Sequence, residues 1–267
     1  NLSSAAKNVS VGNAARNGLF AALLAAEGYG ASPRAIEGPL GWARAMGDEP
    51  DLERLVGGLG ASWEIAKNTY KPYPAGIVFH AVIDAGFKLR KRLNGNISGI
   101  ASITVQGSAL LLARGDRPVH NERDARLSIH HCVACALLLG AAGVPEFAEA
   151  GVFRPEIVAL RQKVRAELDP SLADGAARVM IQLASGEVLT EVVTDARGSL
   201  ADPLSDRDLE AKLREGARMS ATTWNVDSIM KNIWRLDELA DISSLMNTAM
   251  PAREIGPGPA RMAHGKH

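Results

Sequence analysis

Two lysines and a histidine stand where their type and spacing could do chemistry. Lys7 comes just before Val11-Gly12-Asn13-Ala14-Ala15, where a helix is expected to begin. A helix N-terminus offers free N–H groups and a partial positive charge, and Gly12 would let a ligand approach the backbone. With Lys7 upstream and Asn13 beside it, this would make a carboxylate or phosphate site. The plain alternative is a surface lysine ahead of an ordinary helix. Lys71 lies in Tyr70-Lys71-Pro72-Tyr73-Pro74. The two prolines push Lys71 and Tyr73 toward extended geometry. A lysine in a stiff segment has fewer conformations to lose on binding an anion, and a desolvated lysine can move a proton. The alternative is a solvated loop lysine beside packing tyrosines. His80, Asp84 and Lys88 follow at intervals of four, on one face of an expected helix. Asp84 could orient the imidazole, a common support for a catalytic histidine. The alternative is an interior histidine bonded to its own helix.

His130-His131-Cys132-Val133-Ala134-Cys135 has the look of a metal or redox box. A zinc site needs four ligands, and no second Cys/His pair stands at a suitable spacing. A redox Cys-x-x-Cys should follow a strand and open a helix, whereas these cysteines fall inside an apolar helix. They read as small buried hydrophobes, and no metal site is assigned. No phosphate-binding Walker loop, dinucleotide-binding glycine motif or Gly-x-Ser-x-Gly elbow is present. Gly57-Gly58-Leu59-Gly60 has no preceding strand and reads as a helix end.

These residues need elements to hold them. Helices are expected over Gly12–Glu27, from the cap pair Ser32-Pro33, over Asp51–Leu59 and Ser62–Asn68, and from Ile77 to Leu93. The last of these ends in Lys88, Arg90, Lys91 and Arg92, favourable at a helix C-terminus. After Asn94-Gly95-Asn96 the period changes to two, at Ala101, Ile103 and Val105, and Leu110–Ala113 is read as a continuation of that strand. Ser128–Gly140 is an apolar helix and Pro155–Leu168 contains another. Val179–Leu183 and Val188–Val193 form a hairpin across Ala-Ser-Gly-Glu. Helical patterning returns from Ser205 through Leu213 and from Ile229 to Met246. The expected organisation is a mainly α fold with an inserted α+β lid: helical 1–93, lid 94–203, returning helical segment 204–250, and a loose tail 251–267.

The 267 residues carry 30 Lys+Arg against 30 Asp+Glu, so the chain has no basic surplus for nucleic acid and no polybasic membrane anchor. Two cysteines make no disulfide framework, which points to a reducing, cytoplasmic setting. The most apolar stretch, His131–Val144, is too short to span a bilayer, which takes about 20 residues. The chain opens at Asn1 without an initiator Met or a signal peptide, and is expected to be the later portion of a longer protein.

Three stretches in order resemble the MmgE/PrpD family, which contains 2-methylcitrate dehydratase, cis-aconitate decarboxylase and iminodisuccinate epimerase. They are Lys7-Asn8-Val9-Ser10-Val11-Gly12-Asn13-Ala14-Ala15-Arg16-Asn17-Gly18 with Glu37-Gly38-Pro39, then Tyr70-Lys71-Pro72-Tyr73-Pro74 with His80 and Ile83-Asp84-Ala85, then Asp124-Ala125-Arg126-Leu127-Ser128 with the helix after it. The resemblance runs to about Asn247. It implies an all-helical domain built from both ends of the chain, an α+β lid, and a homodimer. It implies a cofactor-free lyase acting on a small di- or tricarboxylic acid, with Lys7, Lys71 and His80 catalytic and Gly12, Asn13 and Tyr73 binding substrate. Dehydration of a 2-methylcitrate-like hydroxy acid is the expected reaction. Decarboxylation, epimerisation and a non-catalytic, carboxylate-binding role are the alternatives. Ser10 replaces a histidine that many members show. The decarboxylase's lid tyrosine would fall near Ala113–Arg114, where no Tyr stands. The family's remaining active-site aspartate and histidines would come from an upstream half, without which the site is incomplete.

Overall fold

The computed structural model describes residues 6–250, so the expected loose tail 251–267 lies outside the described residues. The chain forms two compact units, Asn1–Ala66 and Lys67–His267.

In the first unit, α1 (Ala6–Ala26) is 21 residues long. It begins before Gly12, so the expected helix start at Val11–Asn13 is corrected: Gly12 and Asn13 sit in the second turn. Backbone N–H groups there are taken by the helix itself rather than offered to a ligand. Apolar residues are exposed on several sides of α1, among them Val9, Val11 and Leu19. Ser32-Pro33 opens a series of turns, not a helix, with Ser32 Oγ accepting from Arg34 N–H at 3.3 Å. Then come α2 (Trp42–Met46) and α3 (Leu52–Val56). Asp51 caps α3, and Gly57 ends it, as the glycine run suggests. The helix expected at Ser62–Asn68 is one 3-10 turn, Glu64–Lys67.

The second unit is a two-layer α+β structure with a trailing helical segment. A 3-10 turn (Ile77–Phe79) leads into α4 (His80–Arg92). Strand β1 (Ile100–Gly107) is followed by α5 (Ala109–Gly115), α6 (Glu122–Ala125), α7 (Ile129–Leu139), α8 (Glu149–Val152) and α9 (Pro155–Arg161). Strands β2 (Val164–Leu168), β3 (Ala177–Leu183) and β4 (Val188–Val193) complete a sheet in the order β2-β1-β3-β4. β1 pairs in parallel with β2 and antiparallel with β3, and β3 pairs antiparallel with β4. After it come α10 (Asp206–Arg218), α11 (Val226–Trp234) and α12 (Ser243–Thr248).

The hairpin forms where expected. Gly186, at φ 92°, supplies the left-handed residue of its turn. One expectation fails, at the end of β1, while the short helix expected within Pro155–Leu168 forms as α9. Leu110–Ala113 does not prolong β1: Ser108 caps α5, which folds straight over the strand end. A Cβ at Gly107 would lie 2.3 Å from Leu111 Cδ2, so a larger residue there would have to displace the Leu111 side chain that α5 packs against the strand end. Beyond α9, residues 164–168 form a strand because β1 is there to take their hydrogen bonds. The expected helix 229–246 is also broken, into α11, a 3-10 turn (Leu236–Glu238) and α12.

The core lies between the sheet and the helices. Ile103, Val105, Val179 and Ile181 are fully buried together with Val82, Ile83, Val133 and Leu137 of α4 and α7. Those two helices approach closely at Gly86, where a Cβ would sit 2.6 Å from Ala136 Cβ. α4 also packs on β3 and β4, so residues on both sides of position 93 share this one core. No described helix is long and apolar enough to cross a membrane.

Candidate active site

The segment around Lys71 is held from several directions. Tyr70 N–H donates to the Gly198 carbonyl (3.1 Å), and Gly76 N–H donates to the Arg126 carbonyl (2.9 Å). The third motif thus buttresses the second. Asp124 N–H is capped by Asn121, and Ser128 caps α7 while donating to the Arg117 carbonyl. Within the segment, Lys71 Nζ donates to the Ala75 carbonyl at 3.3 Å. From α10, Lys212 Nζ donates to the Lys71 carbonyl at 2.5 Å.

His80 opens α4 and is 98% removed from solvent, at 2% exposure. Its ring meets Tyr73 edge-on, with centroids 5.3 Å apart, and its Nε2 has no hydrogen-bond partner. Burial lowers its pKa from 6.5 to about 4. A hydrogen bond to the Ala75 backbone and the charge of Asp84 oppose that shift, while Lys71 and Lys212 reinforce it. The imidazole is therefore neutral at physiological pH.

Asp84 does not hydrogen-bond the imidazole, which corrects the role read from the i, i+4 spacing. Its Oδ1 accepts the Tyr73 hydroxyl at 2.5 Å and its Oδ2 accepts the Arg197 N–H at 2.8 Å. His80 instead reaches back to Ala75. Tyr73 stays protonated, because burial first and then Asp84 push its phenol pKa upward.

The His130–Cys135 stretch packs as expected. Cys132 and Cys135 are buried and free. Burial pushes both thiols up, Cys135 to about 12, so neither is a thiolate nucleophile. His131 Nε2 lies 3.0 Å from the Glu146 carbonyl and 3.2 Å from Cys135 Sγ. Among the described residues, no three His, Cys, Asp or Glu side chains gather in a way that could hold a metal.

Lys71, Tyr73 and His80 are thus brought together in the second unit. Lys7, Gly12 and Asn13 belong to α1 of the first; Gly12 and Asn13 are exposed, and the side chain of Lys7 lies outside the described residues. Sequence reasoning missed Arg197, Gly198, Asp208 and Lys212. Their only local signals are a glycine turn and a helix cap, neither of which points back to residue 71.

The architecture and the lysine-bearing loop define a class of protein, and comparison names it. The MmgE/PrpD N-terminal domain matches residues 1–55 and the MmgE/PrpD C-terminal domain matches residues 73–236. The chain belongs to the MmgE/PrpD family. It is similar to the cis-aconitate decarboxylase of Homo sapiens, 28% identical over 98% of this chain and 56% of that protein. The cis-aconitate decarboxylase of Mus musculus is 27% identical, over 92% of this chain and 52% of its own length. That of Aspergillus terreus (strain NIH 2624 / FGSC A1156) is 29% identical, over 90% and 54%. The chain spans about half the length of these curated relatives.

Proposed function

We propose that the complete protein is a cofactor-independent lyase acting on a small di- or tricarboxylic acid. One observation carries this reading: a buried, neutral imidazole with an unpartnered Nε2, beside the stiff loop that bears Lys71. Loss of CO2 or water next to carboxylates builds carbanion or enolate charge. An ammonium held in place stabilises that charge in the transition state. Lys71 would take a substrate carboxylate. The approaching negative charge would raise the basicity of His80 toward the range of proton transfer. Tyr73, whose ring packs against His80, would contact the substrate beside them. Family resemblance gives Lys7 a part in carboxylate binding; Gly12 and Asn13, whose N–H groups lie inside α1, could contribute only through an exposed helix surface, where a Cβ at Gly12 would meet no atom within 4 Å. The lid role of the sheet, an upstream half that completes the site and a homodimer come from the same resemblance, while the returning segment rests on helical patterning and the cytoplasmic setting on cysteine usage.

The relatives are decarboxylases by name, so decarboxylation of cis-aconitate is the first reaction to test. Dehydration of a 2-methylcitrate-like acid is the second reading, favoured by the absence of tyrosine at Ala113–Arg114. The test incubates the complete protein with cis-aconitate, 2-methylcitrate, citrate and a source of iminodisuccinate, and follows products by mass spectrometry and NMR. CO2 loss marks a carboxy-lyase, water loss a hydro-lyase, and inversion without mass change an epimerase. No product from any would leave a carboxylate-binding, non-catalytic member. Lys71→Ala should abolish turnover with an unchanged circular dichroism spectrum, and near-normal turnover would refute the site.

A further inference from the structure

The loop that carries Lys71 is closed into a circuit of side chains. Tyr73 donates its hydroxyl to Asp84, and the other oxygen of Asp84 accepts the Arg197 N–H. The Arg197 guanidinium donates to Asp208 Oδ1 at 2.6 Å. Asp208 is the acidic member of the capping box that starts α10, where it reciprocates Ser205. One turn further along α10, Lys212 returns to the Lys71 carbonyl. Next to this circuit, Gly198 at φ 88° accepts from Tyr70 N–H, and a Cβ there would lie 2.0 Å from the Tyr70 carbonyl oxygen. His80 stands on the same helix as Asp84, one turn before it, with its ring against Tyr73.

We propose that Asp84 is a positioning residue, which acts through the Tyr73 hydroxyl and the Arg197 amide to hold the Lys71 loop in register with His80. The inference rests on the lyase reading above. The chemistry calls for a carboxylate at this position. Two donors converge on Asp84, and only a carboxylate offers two acceptor oxygens and no donor. An asparagine would turn an NH2 toward one of them and leave that side mismatched. One tether ties the Lys71 loop to α4 eleven residues on and the other ties α4 to a segment 113 residues away, so neither the stiffness of Pro72 and Pro74 nor the α4 helix alone can replace them. A loop already fixed loses less freedom when the substrate carboxylate arrives, and a displacement of about 1 Å at a charged group can cost about a hundredfold in rate.

The test uses the complete protein with Asp84→Asn, Tyr73→Phe and the double variant. Steady-state kinetics are measured on whichever of the four acids the wild type converts. Hydrogen exchange is read at the Tyr70 and Gly76 amides. Asp84→Asn should lower kcat/KM at least tenfold, mostly through a higher KM, and speed exchange at Tyr70. In the Tyr73→Phe background the same change should cost under about threefold, because the contact is already gone. A lower melting temperature with unchanged KM, kcat and Tyr70 exchange would make Asp84 a brace only and overturn the proposal. Equal, additive losses in the two backgrounds would overturn the route through Tyr73. If Asp84→Asn does not fold, Tyr73→Phe alone decides, by the same rise in KM or its absence. If the wild type converts none of the acids, the lyase reading fails, and Tyr70 exchange in Asp84→Asn still decides whether Asp84 holds the loop.

Discussion

Lowering the pH from about 7 to about 5 asks His80 and His131 to take up protons where burial opposes charge. Both imidazoles are essentially enclosed, and each has its pKa lowered from 6.5 to about 4. For His131, burial is the main cause, the hydrogen bond to the Glu146 carbonyl opposes it, and Arg161 reinforces it. In the unfolded chain both would titrate at the ordinary 6.5. Between about 6.5 and 4 the unfolded state therefore binds more protons than the folded one, and stability falls as pH falls. At about pH 5 each histidine has removed about 2 kcal/mol, and the pair about 4 kcal/mol. That is a large share of the roughly 5–15 kcal/mol that holds a domain folded. Asp208, held down to about 2 by Ser205 and Arg197, titrates below this window and leaves the slope to the histidines. Urea unfolding followed by circular dichroism at constant ionic strength, stepped from about pH 7.5 to 5, reads the effect directly. His80→Gln and His131→Gln should each remove about half of the pH slope. A stability that stays flat to about pH 5, or a slope that neither variant changes, would refute the reasoning.

Three further outcomes follow from contacts at single residues. Gly86→Ala would gain about 1 kcal/mol of helix propensity, yet its Cβ would sit 2.6 Å from Ala136 Cβ. The overpacking, about 1–3 kcal/mol, should win, and urea midpoints would show a net loss; a stabilised variant would disprove the close α4–α7 approach. Gly198→Ala combines a left-handed φ with a clash against Tyr70 O, and should lower kcat/KM about tenfold by shifting the Lys71 loop. Wild-type kinetics in that variant would break the link between Gly198 and Lys71. Ser205→Ala removes the α10 cap and should cost about 1 kcal/mol in thermal or urea unfolding; no measurable change would show that α10 does not depend on it.

Much of the site was legible because it is local. Pro72 and Pro74 fix backbone angles by their own covalent structure, so the stiffness of the Lys71 segment could be read directly. The alternation of Ile103 and Val105, the β3–β4 turn at Gly186, the α10 start at Ser205 and the buried cysteines of α7 are likewise written in runs of a few residues. The placement of His80 and Asp84 on one helix followed from a period of 3.6. Tertiary structure decided what those local patterns leave open. Val164–Leu168 became a strand because β1, about sixty residues earlier, supplies its hydrogen bonds. Leu110–Ala113 became helix because Gly107 lets α5 fold over the strand end. Asp84 took Tyr73 and Arg197 as partners instead of His80, and Lys212 found the Lys71 carbonyl across 141 positions of sequence. Helical spacing says which face a side chain occupies. Which donor meets it there is settled only when distant segments pack, since a hydrogen bond depends on distance and angle and not on separation along the chain.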